Sequence, residues 1–541
     1  MQNFDPPSTR PDAAPDFNDP SGCAKWLQTL PLINVVPAHG KLLGELEELN
    51  GCGIAPSERL KIMELLREPL TFVQKEYAKK FSSRPAPLTK AERDVFQSVI
   101  DLWDAFSGGY RHCLQAAAGG TSGMNVALLC QRVLWCTGQK LVALYEAYRD
   151  IDARDWEALH RAFGFAEERG VATQGAAHPV RKSRQTSCVE TYAQILLLDL
   201  ASPSKLTPRQ IELISGWLEH WAEKVSFTRT PDAAEGAAPP LAVDLAGGAA
   251  ASRRGTHGET VRYLDLGDIG KGLRKRVSLL RKGELPGTLG LGEDVTAPLA
   301  ESLLVMLYQR WCEDKHSRAM PRRNVAGTAK ICSGMPAIHY FVTGRPFRPQ
   351  GGSRELSKAE HEQIATLGRI ATHREKDAGP AVDFASEDWQ MKDESASGLR
   401  LERTGAEATS RLVVGQLLGI RPPDAKGYLL CSVRWLSVSA EFDLRIGVQI
   451  LPGVPVGVAV RPIGRAAEYT QALLLPAIAA LQTPDTLVLP AGWFKPHRAV
   501  EILGDAVLQL QLTSVIDRGA DFERVTFDKT QPASSPPGAR E

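Results

Sequence analysis

Between residues 38 and 225, apolar side chains recur at three- and four-residue steps, the spacing of one helical face. The run Ile211, Ile214, Leu218, Trp221 and Val225 is the clearest case, and such a stripe predicts burial against other helices. Two helix starts can be read directly. Thr89-Lys90-Ala91-Glu92 and Thr207-Pro208-Arg209-Gln210 are capping boxes. In each, the threonine hydroxyl and the acid or amide three residues on satisfy one another's backbone N–H, and Pro208 suits a first helical position. After Thr89 the face continues through Val95, Val99, Leu102 and Trp103, and segments near 127–149, 154–168 and 188–201 behave alike. The spacing would suit stacked helix pairs, but no fixed-period repeat is present.

The pattern then loosens. Residues 227–258 are loaded with Ala, Gly, Pro and Arg, with little beyond a short apolar run at 241–245, and read as a linker or long loop. A short strand at 261–266, a segment at 273–282 and a helix at about 296–314 follow. After about 318 the runs become short and rich in Val, Leu and Ile, at 415–420, 428–436, 444–451 and 456–460, with Gly and Pro between them. That predicts an antiparallel barrel or sandwich. One helical insertion carries its own capping box, Ser357-Lys-Ala-Glu360, and a second β-like patch runs over 486–527. The fold class is therefore α+β and multidomain. A disordered lead (1–20) precedes an α-helical domain (21–226) and a linker, short strand and connecting helix (227–315). A β-barrel domain (316–465) with an insertion at about 345–388 comes next, then a small β-like extension (466–529) and a disordered tail (530–541).

Composition narrows the function classes. With 541 residues, 43% hydrophobic, the chain can bury several cores and is not a wholly disordered protein. Lys plus Arg number 64 against 63 Asp plus Glu, a formal charge of +1. No global field draws in nucleic acid or an anionic membrane, so any anion site must be built locally. The start, MQNFDPPSTRPDAAPDF, lacks a basic segment leading into an apolar run, and no stretch reaches the roughly 18 apolar residues of a membrane span. Nine scattered cysteines, never spaced CxxC, read as reduced thiols. The expectation is a cytoplasmic protein.

Two short motifs carry the chemistry. Arg318-Ala-Met-Pro-Arg322, with Arg323 beside it, sets guanidinium forks near one another at the helical-to-β junction. Each can hold a phosphate bidentately or pair with the O6/N7 edge of guanine. Asp393-Glu-Ser395-Ala-Ser-Gly398 leads straight into the strand-like Leu399-Arg-Leu401. Its carboxylate offers acceptors for guanine N1–H and N2–H, the Ser395 hydroxyl can assist, and Gly398 permits a tight turn or a close backbone approach to the ligand. Together they suit an anionic guanine nucleotide.

These residues resemble the PilZ domain family, whose members bind the bacterial second messenger cyclic di-GMP. RxxxR matches at Arg318 and Arg322, and [DN]xSxxG at Asp393, Ser395 and Gly398. The following Leu412-Val-Val-Gly-Gln-Leu-Leu-Gly-Ile420, Ser432-Val-Arg-Trp-Leu436 and Ile446-Gly-Val-Gln-Ile-Leu451 resemble the family's closing strands. The match covers about 318–460 and does not reach the helical region. Family members join the two motifs by little more than a hairpin, whereas 71 positions separate Arg322 from Asp393 here. Loop closure grows only logarithmically with length, so the insertion does not keep them apart. The resemblance implies a PilZ-like barrel binding cyclic di-GMP through Arg318, Arg322, Arg323, Asp393, Ser395 and Gly398. It also implies a receptor without catalysis, metal or cofactor, acting on protein partners through the helical domain. The alternative is an interaction scaffold whose barrel no longer takes nucleotide.

Other signals are weaker. Glu157-Ala-Leu159-His-Arg161 resembles the ExLxR signature of phosphodiesterases acting on the same messenger, but it lies in a helical stretch without their strand-borne metal acids. Gly267-Asp-Ile-Gly270-Lys271-Gly272 falls short of a phosphate loop because no Ser or Thr follows the lysine. Lys271, Arg274, Lys275, Arg276, Arg281 and Lys282 read as a solvated basic helix face without the aromatics of a single-strand binder. No HExxH, no zinc-like Cys/His spacing and no GxSxG is present.

Overall fold

The computed structural model describes residues 3–529 apart from 182, 232–238, 254–256, 314–320, 349–383, 406–409, 464–466 and 505–506. The chain divides into two compact units, residues 1–319 with 437–442 and residues 320–436 with 443–541.

The first unit is built from α1 (Pro20–Gln28), α2 (Val35–Gly51), α3 (Pro56–Ala78), α4 (Lys90–Ala118), α5 (Val126–Glu146), α6 (Ala153–Glu168), α7 (Cys188–Leu200) and α8 (Pro208–Trp221). Both anticipated capping boxes form reciprocally, and a third, Ser187 with Glu190, opens α7. The stripe of α8 is buried, as its spacing predicts. Helix α4 packs on α2, α3 and α5, and α5 also meets α6, α7 and α8. An ion pair with a buried arginine keys three of these helices together. Arg132 of α5 donates from Nε and Nη2 to the two oxygens of Glu64 on α3, at 2.7 and 3.0 Å, and Tyr110 of α4 donates to the same carboxylate at 2.8 Å. Removing Glu64 should cost about 3–5 kcal/mol, because the Arg132 guanidinium stays buried without its carboxylate.

At the end of α5, burial and the nearby Glu212 push the Glu146 carboxyl up to about 7. A raised carboxyl contributes stability that is whole below its ordinary pKa near 4.5 and is lost as pH rises through about 7. Glu146→Gln keeps the shape without the charge. Thermal unfolding should therefore show the variant more stable than the parent at pH 8, by up to about 3 kcal/mol, and equal to it at pH 4. A variant less stable at pH 8 would contradict this.

Two parts of this unit differ from the sequence expectation. The lead is not disordered over 3–19. Phe4 is buried edge-on against Phe165, Phe17 is buried against Trp26, and Arg10 N donates to Gly51 O at 2.8 Å. Its Pro and Asp content masked two aromatic anchors. The described residues after 226 are likewise folded. A two-residue pair, β1 (Ala176–Ala177) with β2 (Gln185–Thr186), precedes a three-stranded antiparallel sheet of β3 (Ser226–Thr228), β4 (Ala242–Asp244) and β5 (Val261–Asp265), in the order β3-β5-β4. Then α9 (Gly267–Arg281) and α10 (Ala297–Cys312) join the same apolar core, which runs from Phe4 to Trp311. Trp311 Nε1 donates to Leu197 O at 3.1 Å. The small residues that read as linker permit close packing: a Cβ on Gly248 would lie 2.9 Å from that of Ala153.

The second unit holds two antiparallel barrels. The first comprises β6 (Arg323–Asn324), β7 (Thr328–Ser333), β8 (Glu387–Ser395), β9 (Gly398–Arg403), β10 (Leu417–Arg421), β11 (Leu429–Val438) and β12 (Leu444–Ile450). Their order is β6-β8-β7-β10-β11-β12-β9, and a further pairing of β8 with β9 closes β7 to β12 into a ring. The second is a closed barrel of β13 (Val456–Pro462), β14 (Thr470–Leu475), β15 (Thr486–Pro490), β16 (Ala499–Leu503), β17 (Val507–Arg518) and β18 (Phe522–Lys529), in the order β13-β14-β15-β18-β17-β16. The sequence reading placed 456–460 in the first barrel and left 466–529 as a small extension. The structure puts β13 in the second barrel, which is complete in itself. Strands of the two barrels have the same alternating pattern, and only the turn at Pro452-Gly453, with Gly453 at φ +119°, divides them.

A helix absent from the sequence reading, α11 (Met335–Thr343), packs on β7, β10, β13 and β14. Its Ile338 shares a core with Leu417 of the first barrel and Leu473, Leu475 and Phe522 of the second. Of the anticipated insertion, 349–383 with the Ser357 capping box lies outside the described residues, as does the tail from 530.

Candidate functional site

The two sequence motifs meet because β6 lies along β8. Arg323 pairs in register with Glu394, and Asn324 with Asp393. Strand β8 turns into β9 through the two residues Ala396-Ser397, so Ser395 faces Gly398, Glu394 faces Leu399 and Asp393 faces Arg400. A two-residue loop with a fixed cross-strand register is the tight-hairpin solution.

Asp393 is buried at 7% exposure. Arg322 Nη1 donates to its Oδ1 at 2.5 Å, and Arg400 Nε lies 2.8 Å from its Oδ2. The carboxylate is thus held between two guanidiniums. Next to it, Arg323 Nε donates to Glu394 Oε1 at 2.5 Å. Ser395 Oγ donates to Gly398 O at 3.3 Å and ties the hairpin.

Beside this network opens a cleft of about 600 Å3. Arg322 and Arg323 line one part, with Glu394 and Ser395 of β8. Leu399, Leu429 and Ile450 supply apolar surface, and Pro422, Asp424 and Ala425 contribute from the turn between β10 and β11. Volume and lining fall in the ordinary range for a small-molecule site, with apolar walls and a few convergent polar groups. Of the sequence-derived residues, Arg322, Arg323 and Ser395 line the cleft. Asp393 and Gly398 do not line it, and Arg318 lies outside the described residues.

Gly398 is required for a reason other than turn geometry. A Cβ there would sit 2.5 Å from the backbone oxygen of Val448 on β12. The sequence reading offered a tight turn or a close approach to the ligand; the close approach in the structure is to a neighbouring strand. The sequence reading missed Arg400, Glu394 and Asp424. Arg400 was accessible, since a two-residue turn after Ser395 counts directly to an Asp393–Arg400 pair.

The weaker signals also find their places. Glu157 and Arg161 lie on α6 and line a separate cleft of about 580 Å3, with Arg161 donating to Asn3 O and Asp5 Oδ2 at 2.6 Å. Lys271 and Arg281 on α9 pair with Asp268 and Glu301, and Arg276 lies over Trp221. Among the described residues no cluster of His, Cys, Asp or Glu could hold a metal ion, and no helix is long and apolar enough to cross a membrane.

Comparison with known proteins extends the resemblance beyond the motifs. Residues 21–232 match the family model described as the N-terminal domain of the cyclic-di-GMP receptor FimW, and residues 456–530 match that of the FimW C-terminal beta-barrel domain. The cyclic-di-GMP receptor FimW of Pseudomonas aeruginosa is 23% identical over 533 residues, which span 89% of this chain and 86% of that protein. The helical region, which the sequence motifs did not reach, thus has relatives of its own, as does the last barrel.

Proposed function

We propose a cyclic di-GMP receptor whose ligand enters the cleft between β6, the β8–β9 hairpin and the β10–β11 turn, in a chain whose helical region and last barrel are similar to the two FimW domains. The observation that carries this reading is the meeting of Arg322, Arg323 and Ser395 on one cleft wall from motifs 71 positions apart. Two exposed forks, with Arg318 preceding them in sequence, suit the paired phosphates of the ligand. The apolar surface of Leu399, Leu429 and Ile450 suits a base. Asp393 serves as the fixed anion that aims Arg322 into the cleft. The protein works in the cytoplasm, without catalysis, and its output passes to a protein partner through the helical unit.

Isothermal titration calorimetry of the purified chain with cyclic di-GMP tests the reading. Saturable binding is expected, with GMP and cyclic di-AMP much weaker because they lack the second phosphate or the guanine edge. Equal binding of cyclic di-AMP would remove the guanine assignment, and no heat with any of the three would leave the scaffold reading.

A further inference from the structure

We propose that Glu394 is the cleft's own anion, occupying Arg323 in the free protein and giving way to a ligand phosphate on binding, so that this one carboxylate sets the affinity. The inference rests on the nucleotide reading above. Arg323 and Glu394 are cross-strand neighbours on β6 and β8, both line the cleft, and both Nε and Nη2 of the guanidinium reach Glu394 Oε1. A phosphate approaching that fork meets a carboxylate already seated on it.

The two acids of the hairpin differ in how firmly they are held. Asp393 does not line the cleft and carries a guanidinium on each oxygen. Glu394 lies in the cleft wall, and its partner is 77% exposed. A pair whose cation is largely exposed contributes little and is readily exchanged, whereas Asp393, its side chain 10% exposed, is held by two guanidiniums that are 29% and 44% exposed. The sequence alternates these duties along one strand: Asp393 holds Arg322 in place, while Glu394 competes for Arg323. Once displaced, the carboxylate remains close to the incoming phosphate and repels it. The middle position of DxS in this chain therefore lowers affinity, and a dianionic ligand is needed to win the exchange.

Glu394→Gln removes the charge and keeps the size. Calorimetry at low salt should show Glu394→Gln binding cyclic di-GMP about three- to tenfold more tightly than the parent, with the gain shrinking as ionic strength rises. The gain should largely vanish in an Arg323→Ala background, where there is no fork to contest. A parent that binds while Glu394→Gln binds equally or more weakly overturns the exchange and leaves the nucleotide reading standing. A gain undiminished by Arg323→Ala also overturns it, because Glu394 would then act without its guanidinium. Absence of binding by both proteins overturns the two readings together.

Discussion

Replacing Arg322 with alanine should weaken cyclic di-GMP binding about ten- to a hundredfold and leave the melting temperature close to that of the parent. The loss follows from the bond removed. A charge-assisted hydrogen bond to phosphate contributes about 1.5–3 kcal/mol, and each 1.4 kcal/mol is a factor of about ten in affinity. The fold is spared because Asp393, the residue that would otherwise be left as a lone buried charge, keeps Arg400 Nε at 2.8 Å. Asp393→Ala should weaken binding less, since Asp393 does not line the cleft and acts by holding Arg322. Lys271→Ala, on the exposed face of α9, should change nothing. Calorimetry on the three variants, with melting curves on the same preparations, checks the order. Equal losses from Arg322→Ala and Lys271→Ala would mean that binding responds to general charge, and would move the site elsewhere.

The helical unit was legible because its signals are local. A capping box spans four residues and a stripe such as Ile211 to Trp221 spans three turns, so both can be read without knowing what the helix packs against. Features fixed by distant partners were not legible. Phe4 and Phe17 sit in a lead whose composition reads as disorder, and only Phe165 and Trp26 make them anchors. Helix α11 is short, and the sequence reading assigned no element to it. Its local marks are the glycines that flank it, Gly334 at φ +84° and Gly344 at φ +70°, the second a left-handed C-cap. The border between the barrels was illegible for a similar reason: alternation shows that a strand has a buried face, not which barrel buries it. At the site, the motifs could be read as a pattern, yet which of their residues would line the cleft could not. That Glu394 lines the cleft and Asp393 does not depends on the register of β6 with β8, which no single strand encodes.

Gly398→Ala should destabilise the second unit and weaken ligand binding in the same variant. The added methyl would meet Val448 O at 2.5 Å and Val448 C at 3.6 Å, both backbone atoms of the strand that pairs with β9. A side chain could swing aside, but a strand held in a ladder cannot, so β9 and β12 must part where Gln449 faces Gly398. Overpacking of this kind costs about 1–3 kcal/mol, which for a unit of this size is a drop of several degrees in melting temperature, at about 2–4 °C per kcal/mol. The same movement displaces Leu399 and Ile450, which line the cleft on either side of the strained contact. Gly398→Asn separates this account from one based on turn geometry. Gly398 is not among the glycines with positive φ, so a residue that tolerates left-handed backbone gains nothing here, and asparagine should be at least as damaging as alanine. An asparagine variant that melts and binds like the parent while alanine fails would show that the motif's glycine is needed for its conformation, and that the contact with Val448 can relax.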